Sequence, residues 1–191
     1  MKSSDVHHRR SIRLQGYDYA QTGAYFVTIC THHRECLLGQ VVDGHTVLNQ
    51  YGEIVVACWN DLSNHYLSVE LDAFVVMPNH VHGIILLADP VGAGLKPAPT
   101  VLKRQPLSEI IRAFKTFSSR RINESRSMPG ITTWQHNYYE HVICNEDSLH
   151  HIREYIATNP LRWELDRENP QRKSEDAFDR WLATFRTRPD K

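Results

Sequence analysis

The spacing of apolar and polar positions along the chain predicts strands and amphipathic helices in alternation. Residues 24–31 are rich in β-branched and aromatic side chains, which favours a strand. Asp43-Gly44 lies between two short apolar runs, and this dipeptide is typical of a hairpin turn. Elsewhere the apolar period lengthens to that of a helix. The predicted elements are strand 24–31, a hairpin of 37–42 and 46–49, helix 51–66, strands 69–77 and 81–87, helix 107–125, an extended stretch at 134–144 and helix 145–159.

This order of elements predicts an α+β domain in which helices pack on an antiparallel sheet. A ferredoxin-like arrangement is the simplest architecture that fits it. Residues 1–20 are predicted to be a basic N-terminal arm, residues 21–163 the main domain and residues 164–191 a charged C-terminal tail. A stretch rich in Pro, Gly and Ala at 89–105 is predicted to be a connecting loop.

The composition is that of a soluble globular protein. The chain has 191 residues, of which 41% are hydrophobic and 23% charged, which fits one domain. Its four cysteines form no metal-binding pair, so a zinc-stabilised structural domain is disfavoured. We see no secretory signal and no apolar run of membrane-spanning length, so we expect a cytoplasmic protein without a membrane partner.

Charge becomes informative only when its distribution is considered. Lys plus Arg equals Asp plus Glu at 22 each, so the net charge indicates no partner. Basic residues are nevertheless concentrated in the N-terminal arm and around helix 107–125, where they could neutralise phosphates. On charge alone, a solvated helix face is the simpler explanation. The basic residues considered as nucleic-acid contacts are Arg9, Arg10, Arg13, Lys103, Arg104, Arg112, Lys115, Arg120 and Arg121.

Two histidines, His80 and His82, open an apolar strand in the segment MPNHVHGIILL. Side chains two apart on a strand point to the same face. Two imidazoles on one face are either a pair of metal ligands or a pair of donors to one anion. The alternative is that one histidine packs in the core while the other caps the strand end.

Tyr155 and Asn159 are four residues apart in HHIREYIATNP, so they share a helix face. A phenol beside an amide could provide a nucleophile and a metal ligand. Alternatively, the tyrosine half-buries its ring with the hydroxyl at the rim. Pro160 also biases Asn159 away from helical geometry, so the spacing by itself leaves the choice open.

The order of the motifs GAYFVTICT, VELDAFVVMPNHVHGII, a basic helix and WQHNYYEHVICNEDSLHHIREYIATNP resembles the single-tyrosine HUH transposases. The similarity spans roughly residues 10–163 and is greatest to the branch associated with repetitive extragenic palindromes (REPs). The HUH motif is His80-Val81-His82. The resemblance implies that His80 and His82 hold a divalent ion, that Asn159 is a third ligand and that Tyr155 is the nucleophile.

The implied reaction is an exchange of phosphodiesters. A phenol with a pKa of ~10 is ionised in only about one molecule in a thousand at neutral pH, so it must be activated to act as a nucleophile. A metal ion bound to the phosphate makes the attack easier by acting as a Lewis acid. The products are a 5′-phosphotyrosine and a free 3′-hydroxyl, and the step is reversible, which permits strand transfer. Imidazole and amide ligands suit Mn²⁺ at least as well as Mg²⁺.

The expected substrate is single-stranded or hairpin DNA. Basic side chains would contact the backbone, while Trp134, Tyr138 and Tyr139 could offer stacking faces. Core packing is an equal alternative for Trp134. A protein of this fold that binds hairpins without cutting them is the competing functional hypothesis, and either a monomer or a homodimer is compatible with the sequence.

Overall fold

A four-stranded antiparallel sheet forms the centre of the protein in a computed structural model, which describes residues 18–89 and 105–184. Short 3₁₀ turns at His32–Arg34 and Asn159–Leu165 supplement the regular elements. The strands are β1 (Gly23–Cys30), β2 (Gly39–Val42), β3 (His45–Leu48), β4 (Val69–Met77), β5 (His80–Leu87) and β6 (Tyr139–Ile143). The helices are α1 (Gln50–Asn60), α2 (Leu62–His65), α3 (Leu107–Ser125), α4 (Glu146–Thr158) and α5 (Ala177–Ala183).

The sheet has the strand order β4-β5-β1-β6, with every neighbouring pair antiparallel. Without the β2–β3 hairpin, the chain order is strand, helix, two strands, helix and strand, which is the ferredoxin-like topology. The predicted α+β architecture is therefore confirmed. The hairpin turns at Asp43 and Gly44, whose φ angles of 50° and 73° are both positive, as its tight turn requires.

The two faces of the sheet bury different cores. On one face α1 and α3 pack against the sheet, and the Trp59 ring stacks on Phe74 at 4.4 Å. Gly83 makes room for this ring, since a side chain there would collide with Trp59. On the other face α4 and α5 cover a second core that includes Phe26 and Ile84. Because β5 alternates its side chains, His82 lies with Ile84 on the α4 face.

Asparagine side chains cap the starts of α1 and α4. Asn49 accepts hydrogen bonds from two backbone amides of α1, and Asn145 accepts one from Ser148 of α4, so the start predicted for α4 is confirmed. The single helix predicted over 51–66 is instead divided between α1 and α2. Asn159 keeps helical angles (φ −57°, ψ −40°) before Pro160, contrary to the expected bias, because the chain continues into a 3₁₀ turn.

Beyond this turn the chain returns to the α4 face. Asp166 and Glu168 are buried there, and α5 inserts Phe178 and Leu182 into the second core. The α5 helix begins at Asp176, whose carboxylate accepts from the Phe178 amide. None of the helices in the described ranges has the length and hydropathy of a membrane span.

Candidate active site

His80 and His82 lie side by side at the start of β5, as the strand period predicts. They pair in register with Cys30 and Thr28 of β1. Their Nε2 atoms are 3.0 Å apart, and the two side chains are almost completely buried. The two imidazoles therefore converge on one point inside the protein.

Asn79 determines which nitrogen of His80 carries the proton. Its side-chain NH₂ donates to the carbonyl oxygens of Glu168 at 2.7 Å and Arg34 at 3.2 Å. Its Oδ1 atom lies 2.8 Å from His80 Nδ1 and can only accept, so Nδ1 is the protonated nitrogen. This leaves a lone pair on His80 Nε2. Such a bond on the second nitrogen is typical of metal-binding histidines.

His82 has the corresponding arrangement. Its Nδ1 atom lies 2.9 Å from the Thr28 hydroxyl, which can accept the Nδ1 proton. Burial lowers the pKa of His80 to about 3, although the negative charge of Asp166 opposes this shift. His80 is thus neutral at neutral pH, and in this tautomer of His82 two lone pairs face each other. A cation placed there would remove their repulsion.

Asp166 adds a carboxylate that the sequence analysis did not identify. Its Oδ2 atom lies 3.8 Å from both Nε2 atoms, and its Oδ1 atom accepts from the Glu168 amide at 2.7 Å. Burial opposes ionisation of Asp166, but His80, His82 and the Asn159 amide outweigh it and hold its pKa well below the usual range. No periodicity marks this residue, because it follows the 3₁₀ turn in an irregular segment that resembles any other charged stretch.

Tyr155 and Asn159 reach the same point from α4. The Tyr155 hydroxyl lies 3.2 Å from His82 Nε2 and donates to Asp166 Oδ2 at 3.3 Å. The Asn159 amide donates to the same oxygen at 2.7 Å. Asn159 Oδ1 is buried without a hydrogen-bond partner among the described residues. The structure therefore brings together all four residues that the sequence placed at the site.

The α5 helix covers the phenol. Tyr155 is only 5% exposed, and the Phe178 ring lies parallel to it with centroids 3.6 Å apart. Burial raises the pKa of Tyr155 well above its usual value, and the nearby carboxylates of Asp166, Asp179 and Asp176 raise it further. In this arrangement the hydroxyl is protonated and shielded from solvent.

The donor set fits a divalent metal ion. Ligand atoms of His80, His82 and Asp166 all lie within 4.8 Å of one another. Two ligands at right angles with bonds of about 2.1 Å are about 3.0 Å apart, which matches the separation of the two imidazole nitrogens. Two imidazoles with a carboxylate and an amide oxygen suit a first-row transition ion such as Mn²⁺. The buried cluster could therefore bind a metal.

Three of the arginines predicted as backbone contacts lie on α3, which packs on the sheet face opposite α4. Arg112 pairs with Glu109, and the Arg120 guanidinium lies 3.5 Å from Glu124. Arg121 is exposed, with its guanidinium 3.6 Å from the Cys58 sulfur. Their part in DNA binding stays a prediction. The remaining basic candidates, Arg9, Arg10, Arg13, Lys103 and Arg104, lie outside the described residues.

Lys115 is directed toward the protein instead. Its ammonium donates to the carbonyl oxygens of Gln135, His136 and Asn137 at 2.9, 3.2 and 3.0 Å. Burial lowers its pKa to about 8. In this conformation Lys115 holds the segment before β6, and a phosphate would have to compete with three carbonyl groups for it.

The three aromatic candidates differ in their surroundings. Trp134 is buried in the α3-side core, where its indole donates to the Ser118 hydroxyl at 2.9 Å. This is the core-packing alternative, and the ring offers no stacking face in this conformation. Tyr138 and Tyr139 are half-buried, the former with Lys115 Nζ 5.4 Å from its ring centre.

Comparisons with known proteins identify a homologous sequence and a solved structure with a similar fold. No family model matches the sequence. An uncharacterized protein of Haemophilus influenzae is 37% identical over 172 residues, which cover 86% of this chain and 94% of that protein. The structure is similar to that of a REP-associated tyrosine transposase bound to a REP hairpin, with a TM-score of 0.53 and 20% identity over 79% of this chain and 73% of that one. At this identity the similarity shows the shared fold.

Proposed function

We propose that this chain, which belongs to the same family as the Haemophilus influenzae protein, is a metal-dependent transposase that cuts and rejoins single-stranded DNA through Tyr155. The observation that carries the proposal is the convergence of three residues predicted from the sequence: His82 Nε2 lies 3.0 Å from His80 Nε2 and 3.2 Å from the Tyr155 hydroxyl. These are the parts that a tyrosine nucleophile needs to attack a phosphodiester.

The Nε2 atoms of His80 and His82 would hold the divalent ion, Mn²⁺ or Mg²⁺. Asn159 Oδ1, which has no partner among the described residues, would be a third ligand, and Asp166 Oδ2 is a further oxygen donor beside them. When bound, the ion supplies Lewis-acid stabilisation to the phosphate. Its ligands come from β5, the end of α4 and the segment after the 3₁₀ turn.

Tyr155 would form a bond from its phenol oxygen to phosphorus while the 3′-oxygen departs. Its proton would pass to solvent, and Asp166 Oδ2, which accepts the hydroxyl hydrogen bond at 3.3 Å, would orient the phenol. The departing 3′-oxygen takes a proton to become a hydroxyl, and the 5′-phosphate remains on Tyr155. Attack by a 3′-hydroxyl on this phosphotyrosine reverses the step and rejoins DNA.

We propose that the substrate is DNA in which a palindromic sequence forms a hairpin with single-stranded flanks. The REP hairpin bound by the structural neighbour supports this class of substrate. The exposed guanidinium groups of Arg112, Arg120 and Arg121 on α3, with the basic arm at 1–20, would contact the backbone. Residues 21–163, together with the following segment that carries Asp166 and α5, would form the catalytic domain of an enzyme that acts on nucleoid DNA.

The test is formation of a covalent protein–DNA adduct. A labelled single-stranded hairpin oligonucleotide is incubated with Mn²⁺ or Mg²⁺ and the products are separated under denaturing conditions. The wild type should retain label, Tyr155→Phe should lose it, and Tyr138→Phe should behave as the wild type. If Tyr155→Phe forms the adduct and Tyr138→Phe does not, the nucleophile is wrongly assigned.

A hairpin-binding protein that does not cut is the second candidate. The observation that favours it is the cover over Tyr155, whose side chain is 5% exposed. This candidate predicts tight hairpin binding with no adduct in any divalent ion, even in a Phe178→Ala variant that uncovers the phenol. An adduct in either protein rejects it.

A further inference from the structure

A polar groove lies between α3 and the segment that precedes β6, outside the candidate active site. Its volume is about 360 Å³, within the range of about 300–1,000 Å³ found for ligand pockets. We call it the α3 groove. The polar side chains in its wall include those of Ser119, Asn123, Thr132, Thr133, Gln135 and His136.

Thr133 is the least expected member of this wall. Its side chain is 2% exposed, and its hydroxyl oxygen has no hydrogen-bond partner in the described ranges. A buried hydroxyl without a partner costs free energy. A ligand that hydrogen-bonds to Thr133 would remove that cost.

The groove is suited to a neutral ligand. Lys115 also lines it, but its ammonium is occupied by three carbonyl oxygens. Phosphate binding draws much of its affinity from available cations, whereas neutral hydroxyl and amide side chains can read the edge of a base through hydrogen bonds. Serine, threonine and glutamine side chains of the wall are of this second kind.

The groove and the histidine pair lie near the same end of the sheet, the groove on the α3 face and the histidines on the α4 face. The backbone N–H of Gln135 donates to the Cys30 carbonyl at 2.9 Å, and Cys30 is paired with His80 in the register of β1 and β5. Two strand spacings of about 4.8 Å each separate the groove wall from β5, or about 10 Å. DNA would have to pass around this end of the sheet from one face to the other, so its path between the groove and the histidine pair is longer than this spacing.

We propose that the α3 groove binds one unpaired nucleobase of the DNA strand, a few nucleotides from the phosphodiester at the histidine site. Thr133 and Gln135 supply hydrogen bonds to the edge of the base, and the arginines of α3 lie along the same helix to hold the backbone. The groove would thereby select where the strand is cut. This inference rests on the proposed function, because it assumes that DNA occupies the neighbouring site.

The experiment measures hairpin affinity by fluorescence anisotropy in a Tyr155→Phe background without divalent ions, so that cutting does not contribute. Each unpaired position flanking the hairpin is replaced in turn by an abasic site. Ser119→Trp fills the groove, and Ser125→Trp places the same ring at the end of α3, away from the groove wall. Melting temperatures of both variants establish that they are folded.

We expect one abasic position to weaken binding about tenfold, the effect of losing one base contact. Ser119→Trp should cause a similar loss, Ser125→Trp should not, and the abasic site should add nothing further in Ser119→Trp. The inference is overturned if every abasic position is tolerated, or if the abasic loss persists undiminished in Ser119→Trp.

Thr133→Val keeps the shape of the side chain and provides a second, independent readout. Because it removes an unpartnered hydroxyl, it should raise the melting temperature of the free protein while weakening hairpin binding. A raised melting temperature with unchanged affinity rejects the role of Thr133. Wild-type protein that shows the base effect yet forms no adduct rejects the proposed cleavage and leaves the groove intact, whereas an adduct without a base effect rejects the groove alone.

Discussion

At the residue scale, Asn79 is the side chain on which the orientation of His80 depends. It is fully buried, and each polar group of its amide has a partner: the Glu168 and Arg34 carbonyl oxygens accept from its NH₂, and its oxygen accepts from His80. Aspartate at this position could not donate to the two carbonyl oxygens. The amide is therefore the group that connects the loop after β1 and the segment after α4 with the first histidine.

Asn79→Ala is expected to weaken Mn²⁺ binding by about 10–100-fold, the usual cost of removing the partner of a metal-binding histidine. The physical reason is that His80 loses the acceptor that keeps its Nδ1 protonated and its ring in place. Titration calorimetry with Mn²⁺ measures the effect without requiring activity. Asn64→Ala, which changes an exposed amide on α2, serves as the control. Equal Mn²⁺ affinity in Asn79→Ala and wild type would contradict the role of Asn79.

At the scale of elements, α5 controls access to the nucleophile. Its Phe178 ring covers the Tyr155 ring at 3.6 Å, so DNA reaches the hydroxyl only after α5 moves. The helix has seven residues and is held by Phe178 and Leu182 in the second core and by the pairing of Asp176 with Arg162 at 2.7 Å. An element of this size can open locally at a cost well below that of global unfolding.

Phe178→Ala is expected to increase the rate of adduct formation and to lower the free energy of unfolding by about 3 kcal/mol, as a large-to-small core change does. Nitration of Tyr155 by tetranitromethane, quantified by mass spectrometry, should increase in the same variant and needs no DNA. Leu182→Ala removes α5 packing without removing the ring over Tyr155, so its effect on nitration should be smaller. If Phe178→Ala leaves both nitration and adduct formation at wild-type rates, α5 does not limit access.

Helices, strands and turns that are marked by a local sequence pattern could be predicted from the sequence. The site residues could be predicted only where they lie in such a pattern. The strand period placed His80 beside His82, the Asp43-Gly44 turn fixed a hairpin, and Asn145 marked the start of α4. Asp166 has no such signal, because it enters the site through tertiary packing of an irregular segment. Trp134 is ambiguous for a related reason, since only the packing of α3 decides between a core ring and a stacking face.

At the scale of the whole molecule, the candidate metal site joins parts of the chain that are distant in sequence. Its donors come from β5, the end of α4 and the segment around Asp166, all of which meet on one face of the sheet. In the unfolded chain the histidine pair is not held near Asn159 and Asp166, so the full set of donors cannot hold one ion together. A metal that binds here therefore stabilises the entire fold against unfolding.

Mn²⁺ is accordingly expected to raise the melting temperature of the wild type, with a gain of about 2.7 kcal/mol at a free concentration of 100 times its dissociation constant. His80→Ala should lose this gain, since it removes one of the two convergent nitrogens. His45→Ala, which changes an exposed histidine at the start of β3, should keep it. Both variants can be followed by circular dichroism with Mn²⁺ and with a chelator. Equal stabilisation of His80→Ala and wild type would mean that the ion binds elsewhere, and the histidine pair would then need another role, such as donating hydrogen bonds to a phosphate.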